Sequence, residues 1–314
     1  MMTTNKEIVI KRYLRDSAGT MPEFWEGIWQ HSPTTMKALA AQADARLVRE
    51  CSRHLPPKAK LLEGGCGSGS YLARFAEMGY QVVGVDFAQR TVARLNAALP
   101  DLDVLVGDIR DLPFPNNTFD AYYSGGVIEH FEDGLMPQIE EAYRVLKAGG
   151  VFLVTVPYLN VSRNLSARWF GNRVKIDLDG RDTYIETLVD FKPGTASENE
   201  IPADYVFHEY VLPATYMRRV LTQAGFIVEG EMPFSSRWGL LDLERVRRLA
   251  GIGLQHRHAG HRMAAALLRL VEYIERKDGA LFEATANLIG WLVGNLRLYV
   301  ARKPNLSESQ GIRQ

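Results

Sequence analysis

The chain has 314 residues, 46% of them hydrophobic and 24% charged, the balance of an ordinary globular protein. Its 37 Lys/Arg match 37 Asp/Glu, which excludes a broad phosphate-neutralising surface for nucleic acid but leaves room for local basic patches. Two cysteines, Cys51 and Cys66, cannot build a disulfide framework; with no signal-peptide core around Lys6, Glu7, Lys11 and Arg12 and no apolar run near the ~20 residues of a spanning helix, the expected location is cytoplasmic.

Residues 1–35 are rich in aromatics: Tyr13, Phe24, Trp25 and Trp29. Residues 35–55 read as one helix that stops before Pro56-Pro57. Strand and helix then alternate. Strands are predicted at 60–63, 81–85, 104–106, 119–123 and 151–156, and helices at 70–78, 89–99 and 137–146. Such alternation implies a parallel sheet covered on both faces. From 157 to 212 the pattern lapses into Pro, Gly and charges; the aromatics Tyr158, Trp169, Phe170, Tyr184, Tyr205 and Phe207 favour an ordered lid over a disordered segment. A helix is predicted from Pro213 to 224, a strand at 226–228, mostly helix over 240–292, and a closing strand at 296–301.

The strongest local signal is Glu63-Gly64-Gly65-Cys66-Gly67-Ser68-Gly69, which follows a strand and opens a helix. Glycines at alternate positions allow a tight turn and close approach to a ligand, and the helix behind offers free N–H groups. The spacing is not that of the dinucleotide fingerprint, because Ser70 stands where the third glycine belongs. An acid at the strand end would repel a pyrophosphate and suits a cationic amine. Asp86, followed by Phe87, ends the second strand, where it can accept hydrogen bonds from a ribose diol while Phe87 packs on a purine. Asp108 and Ile109 end the third, where they can bind and cover an adenine. The plain alternative for each Asp is a helix cap.

The run from Leu61 to Pro157 resembles the class I S-adenosylmethionine-dependent methyltransferases, of the kind that acts on small molecules and includes quinone-biosynthesis enzymes. The matching pieces are LLEGGCGSG (61–69), VVGVDF (82–87), GDIRDLPF (107–114), FDAYYSGGVIEHF (119–131) and LKAGGVFLVTVP (146–157); 208–230 and 295–304 resemble the family's last helix-strand unit and closing strand. Ala148 departs from the family's usual proline. The resemblance implies a Rossmann-like, doubly wound α/β fold: a seven-stranded sheet with its last strand antiparallel, plus a lid insertion and a helical insertion. It divides the chain into an N-terminal helical cap (1–55), a cofactor-binding core (56–157), a substrate lid (158–212), a core continuation (213–235), a helical insertion (236–294), the final strand (295–304) and a disordered tail (305–314).

Carried over residue by residue, Glu63, Gly65, Cys66, Gly67 and Gly69 would hold the methionine part of S-adenosylmethionine. Asp86 would bind the ribose, Phe87, Asp108 and Ile109 the adenine, and Ser124-Gly125 would pass beneath the sulfonium. No Asn/Asp-Pro-Pro-aromatic motif follows the fourth strand and neither cysteine follows proline, so a nucleic-acid substrate is not expected. The partner implied is a small-molecule acceptor, methylated on oxygen or nitrogen with carbon open. Glu129 and His130 follow the fourth strand, and His130 is the first candidate for a general base; a structural histidine is the alternative. His208 is a second candidate, with a surface role as its alternative. Tyr13, Trp25, Trp29, Tyr158 and Tyr210 are candidate cap residues over the substrate, and aromatic faces attract a sulfonium. No metal is expected: His256, His258 and His261 lack a facing i,i+4 pair and a nearby acidic or Cys partner.

Residues 240–293 carry an Arg-rich part (Arg245, Arg247, Arg248, Arg257, Arg262, Arg269) and an apolar part. They read either as a helical subdomain with a solvated basic face or dimer contact, or as a surface for peripheral contact with anionic lipid, at the inner face of a membrane, or with a lipid-linked acceptor. Two competing functions stand beside methyl transfer: an inactive cofactor-binding scaffold, and a nicotinamide-dependent oxidoreductase, which the glycine register and Glu63 oppose.

Overall fold

The computed structural model describes residues 8–15, 21–170, 173–176, 183–190, 205–236, 240 and 260–305. The Arg245–Arg257 stretch, His256, His258 and the tail beyond 305 lie outside them.

The main sheet is built from β2 (Lys60–Gly64), β3 (Gln81–Asp86), β4 (Asp103–Val106), β5 (Phe119–Gly125), β6 (Leu146–Pro157), β10 (Ile227–Phe234) and β11 (Leu296–Arg302). Its order is β10-β11-β6-β5-β2-β3-β4. β2 pairs in parallel with β3 and β5, and β6 with β5, whereas β11 runs antiparallel to both β6 and β10. This is the expected seven-stranded sheet with its last strand reversed. Successive side chains of a strand point to opposite faces. Leu62, Tyr122 and Phe152 therefore enter one core with Ile139 of α6 (Met136–Val145) and Leu221 of α8 (Ala214–Gln223). Leu61, Tyr123 and Leu153 enter the other with Val48 of α3 (Ala45–His54), Phe75 of α4 (Ser70–Glu77) and Leu95 of α5 (Gln89–Ala98).

The N-terminal region differs from the helical cap predicted for 1–55. Ile8–Arg15 is a strand, β1, and among the described residues only α1 (Met21–Trp29), α2 (Met36–Ala40) and α3 are helical. β1 has no local partner; it pairs antiparallel with β8 (Thr183–Asp190) on one side and β9 (Tyr205–Val211) on the other. The predicted single helix over 35–55 is two, because the Asp44 side chain caps α3 through the Leu47 N–H at 2.9 Å.

The lid segment is likewise more regular than its composition suggests. After α7 (Val161–Phe170), β7 (Arg173–Ile176), β8 and β9 join β1 in a second, antiparallel sheet of order β7-β8-β1-β9. The late insertion contributes α9 (Gly260–Arg276) and α10 (Ala280–Val293). No helix among the described residues is long and apolar enough to cross a membrane.

Tyr158, a candidate cap residue, belongs to this framework. It is buried, and its hydroxyl donates to the Gly290 carbonyl at 2.6 Å and the Trp291 carbonyl at 3.0 Å, tying the last turn of α10 to the end of β6. It does not line the site cavity. Tyr158→Phe strips a donor from buried helix-end carbonyls. Urea unfolding should show a loss of about 1–3 kcal/mol, with cofactor affinity unchanged.

Candidate active site

A cavity of about 300 Å³ opens at the carboxyl ends of β2, β3 and β5, under α1. Its floor is the loop between β2 and α4. Gly65, Gly67 and Gly69 have φ of 74°, 45° and 80°, a region that side-chain-bearing residues rarely adopt. A Cβ on Gly67 would lie 2.9 Å from the Trp29 ring, so the loop and α1 touch only because that carbon is missing.

Glu63, at the end of β2, is 3% exposed, and its Oε2 has no hydrogen-bond partner among the described residues. Burial, with Asp86 nearby, pushes its carboxyl well above the usual carboxylate range. Asp86 accepts from the Gly67 N–H at 2.8 Å through Oδ2 and from the Ala88 N–H at 2.9 Å through Oδ1. It thus braces the glycine loop, and each oxygen keeps a second lone pair for a ligand. Burial raises its pKa while the two N–H groups oppose the shift.

The structure gathers many of the predicted site residues around one cavity: Gly65, Gly67, Asp86, Phe87, Asp108, Ile109, Gly125, His130, Trp25 and Trp29 line it. Glu63, Cys66, Gly69 and Ser124 do not line it. Cys66 is buried, and Ser124 donates to the Gly64 carbonyl at 3.3 Å. Asp108 is engaged by Arg110, which reaches its carboxylate at 2.7 Å and lowers its pKa. Arg110 and Met21 were not anticipated, yet both line the cavity.

His130 follows β5 in a short 3₁₀ turn (Ile128–His130) and faces the edge of the Trp25 ring, 4.9 Å between centroids. Its Nδ1 lies 2.6 Å from the His208 carbonyl oxygen. A carbonyl only accepts, so Nδ1 carries the proton and Nε2 keeps the lone pair. Burial lowers the His130 pKa, with Glu209 and the His208 carbonyl opposing. Burial also lowers His208, to about 4.

Behind the two imidazoles, Glu209 of β9 accepts from Arg12 of β1 at 2.5 Å. Burial works against its charge, but Arg12, His208 and His130 together hold its carboxyl below the usual value. Ligand atoms of His130, His208 and Glu209 lie within 4.8 Å of one another, near enough for a divalent ion. Arg12 already occupies Glu209, however, and Nδ1 of His130 is spent on a carbonyl, so the cluster is arranged as a hydrogen-bonded charge pair. Glu129 is buried, its carboxyl pushed well up by burial and by Glu209, and it does not line the cavity. His208, Tyr13 and Tyr210 are also outside the lining. Tyr210 donates to the Glu132 carbonyl at 2.8 Å, and the Tyr13 ring packs edge-on against Phe207 at 6.0 Å. These two belong to the second sheet's packing, not to the cavity wall.

A profile of the family described as "Methyltransferase domain" matches residues 62–154, the stretch that holds the glycine loop, Asp86, Asp108 and His130. Residues 62–154 are therefore similar to methyltransferase domains. A probable S-adenosylmethionine-dependent methyltransferase of Mycolicibacterium smegmatis is 30% identical over 184 residues, 59% of this chain and 58% of that protein. A rice chloroplastic 2-methyl-6-phytyl-1,4-hydroquinone methyltransferase is 49% identical over 67 residues, 21% of this chain and 19% of its own. The chain thus spans less than two thirds of both relatives. A solved Pyrococcus horikoshii structure covers 90% of this chain and 99% of its own at 18% identity, with a TM-score of 0.51, which shows the shared fold.

The Mycolicibacterium smegmatis relative is described as S-adenosylmethionine-dependent, and the site here fits that cofactor. The orphaned Glu63 oxygen calls for a cationic donor such as the cofactor's ammonium, and Gly65 and Gly67, against which Val127 and Trp29 pack, line the cavity next to it in the chain. The same carboxylate yields a prediction. Because folding raises the Glu63 pKa, the ligand-free protein loses stability as pH climbs through the raised value and keeps it below the usual carboxylate range. Glu63→Gln should therefore gain roughly 1–3 kcal/mol over wild type near pH 8 and nothing near pH 4 in chemical denaturation. In calorimetry it should bind S-adenosylmethionine about tenfold or more weakly.

Proposed function

We propose that the protein transfers the methyl group of S-adenosylmethionine to a hydroxyl or amine of a small, amphipathic acceptor, with His130 as general base. The observation that supports this is the fixed tautomer of His130: its Nδ1–H is held by the His208 carbonyl, and the residue lines the cavity with a lone pair left on Nε2. When bound, S-adenosylmethionine supplies an electrophilic methyl carbon on a positively charged sulfur. Glu63 would take its ammonium, Asp86 its ribose hydroxyls, and Phe87 and Ile109 the faces of its adenine. Gly125 and Gly126 line the cavity beyond β5, where the acceptor would sit.

The protein's remaining work is alignment, water exclusion and proton removal. Trp25 and Trp29 cover the cavity, their rings stacked 6.1 Å apart. His130 Nε2 would take the acceptor's proton as the new bond forms. The imidazolium produced would be stabilised by Glu209, which Arg12 keeps ionised. Similarity to a hydroquinone methyltransferase supports an aromatic or lipophilic acceptor. The absence of phosphate-binding register in the glycine loop stands against a nicotinamide cofactor.

The reading is tested by calorimetry with S-adenosylmethionine and with a dinucleotide, and by incubating the protein with methyl-labelled cofactor and fractionated cell extract to trap the acceptor. Preferential dinucleotide binding would overturn it. His130→Asn should lower kcat by roughly 10²–10⁴ with cofactor affinity intact, whereas Asp86→Ala should weaken cofactor binding first. Equal losses of affinity in both would remove His130 from the catalytic role.

The base must be neutral to act, so the rate should rise with pH through the His130 pKa. Glu209 raises that pKa, against burial and alongside the His208 carbonyl. In Glu209→Gln the rising limb of the kcat profile should shift to lower pH while its plateau falls. A fallen plateau with an unmoved limb would mean that Glu209 serves the fold alone.

A further inference from the structure

α1 is an apolar helix without a core beneath it. Met21, Trp25 and Trp29, spaced i, i+4 and i+8, share one face, and all three line the active-site cavity. No residue of α1 is buried. Apart from the Trp29 contact with Gly67, the stripe that a surface helix packs against protein is turned to the space where a ligand would lie. The helix is also weak in itself. Its nine residues fall short of the roughly 12–15 that an isolated helix needs in water. Gly27 stands inside it, and a Cβ there would meet nothing within 4 Å. No packing demands glycine at this position, where it costs helix stability.

Glu26 ties this helix to α5. Its carboxylate accepts from the Arg90 N–H at 3.0 Å and lies 3.6 Å from the Arg90 guanidinium. α5 has no side-chain cap of its own at Ala88. Glu26 therefore supplies, from another helix, an acceptor for the first turn of α5, and it sets a negative charge at the positive end of that helix's dipole. The chain after α1 is fixed separately. Arg94 of α5 donates to the Pro33 carbonyl at 3.3 Å and to the Ser68 carbonyl of the glycine loop at 3.4 Å. α1 thus has an anchor behind its C-terminal end and a tie part-way along. On its other flank the Trp25 ring meets His130, and the Phe24 ring meets His208 at 5.7 Å between centroids.

We propose that α1 is a flap that folds over bound S-adenosylmethionine, and that Glu26 is the latch that holds it shut, a positioning residue for the reaction. This rests on the cofactor reading given above. Lifted from the cavity, so short a helix does not keep its fold, so opening is a local unfolding of α1 ahead of the Pro33 anchor. A cofactor in the cavity gives Met21, Trp25 and Trp29 the partner they lack, and the closed flap keeps water out. Closure also sets Trp25 against His130, so the imidazole is walled in only when the cavity is covered. Gly27 sets the balance: it weakens the closed helix without touching anything, which eases opening and release.

The test is hydrogen–deuterium exchange of the α1 amides, first without ligand, where they should exchange well ahead of those of α4. Glu26→Ala should speed α1 exchange about tenfold, although alanine is the better helix former. Glu26→Gln, which keeps an acceptor oxygen, should restore most of the protection. Gly27→Ala should slow exchange about fivefold. Saturating S-adenosylmethionine should protect α1 in the wild type. Its release, read by stopped-flow tryptophan fluorescence, should follow the same order, faster in Glu26→Ala and slower in Gly27→Ala, with the urea midpoint of the whole chain unmoved. A purely structural role would move that midpoint and leave release alone. Ligand-free α1 amides as slow as those of α4, or exchange and release that neither variant moves, would overturn the flap. Exchange in the stated order with no binding of S-adenosylmethionine to wild type in calorimetry would strike the cofactor reading and leave the latch in place.

Discussion

An ionised carboxylate taken out of water must be met by a cation or by N–H donors, or it takes up a proton. Glu63 is in that position near the end of β2, with one oxygen unpartnered. Much of the site is arranged on this unmet demand. Gly65, Gly67 and Gly69 after it adopt positive φ and let Val127, Trp29 and Leu95 pack directly on the loop. Asp86, the next carboxylate along, spends bonds on bracing that loop instead of on relieving Glu63. A cationic ligand completes the arrangement, and a dinucleotide phosphate would worsen it.

The second sheet supplies what the Rossmann-like core lacks. β1 comes from the start of the chain and β9 from the end of the lid segment, and their pairing sets Arg12 opposite Glu209. That pair keeps a negative charge buried behind His208 and His130. The His208 carbonyl, on the same strand, fixes which nitrogen of His130 carries the proton. The proposed base is thus shared between the core, which contributes the imidazole, and the second sheet, which contributes its tautomer and its counter-charge.

The parallel core was legible because its signals are local. Buried parallel strands are short apolar runs, and glycine and aspartate at their ends have conformational and chemical reasons to be there. β1 was not legible, since a strand such as Ile8–Arg15 has meaning only against partners about 175 to 200 residues away, and its charges read as surface. Arg12 was missed for the same reason: only the pairing shows that it is buried against an acid. The aromatics were legible as a group but not individually. Trp25 and Trp29 reach the cavity because α1 lies over the glycine loop, whereas Tyr158 and Tyr210 turn their hydroxyls to backbone carbonyls elsewhere. Composition marks such residues as useful and cannot say to which side they point.

The zero net charge is an average over two regions that act separately. β11 lies three strand spacings from β2, about 14 Å. Charges exposed to solvent are screened within about 8 Å at physiological ionic strength. The carboxylates at the ends of β2 and β3 therefore present a negative site to a cationic ligand with little interference from the cations of the α10 side. Those cations in turn face solvent with little interference from the carboxylates. Buried acids are screened less than exposed charges and act on what enters beside them, and exposed arginines act on whatever approaches their own face. Neutrality of the whole chain is compatible with buried carboxylates gathered at one place and ion-paired arginines at another.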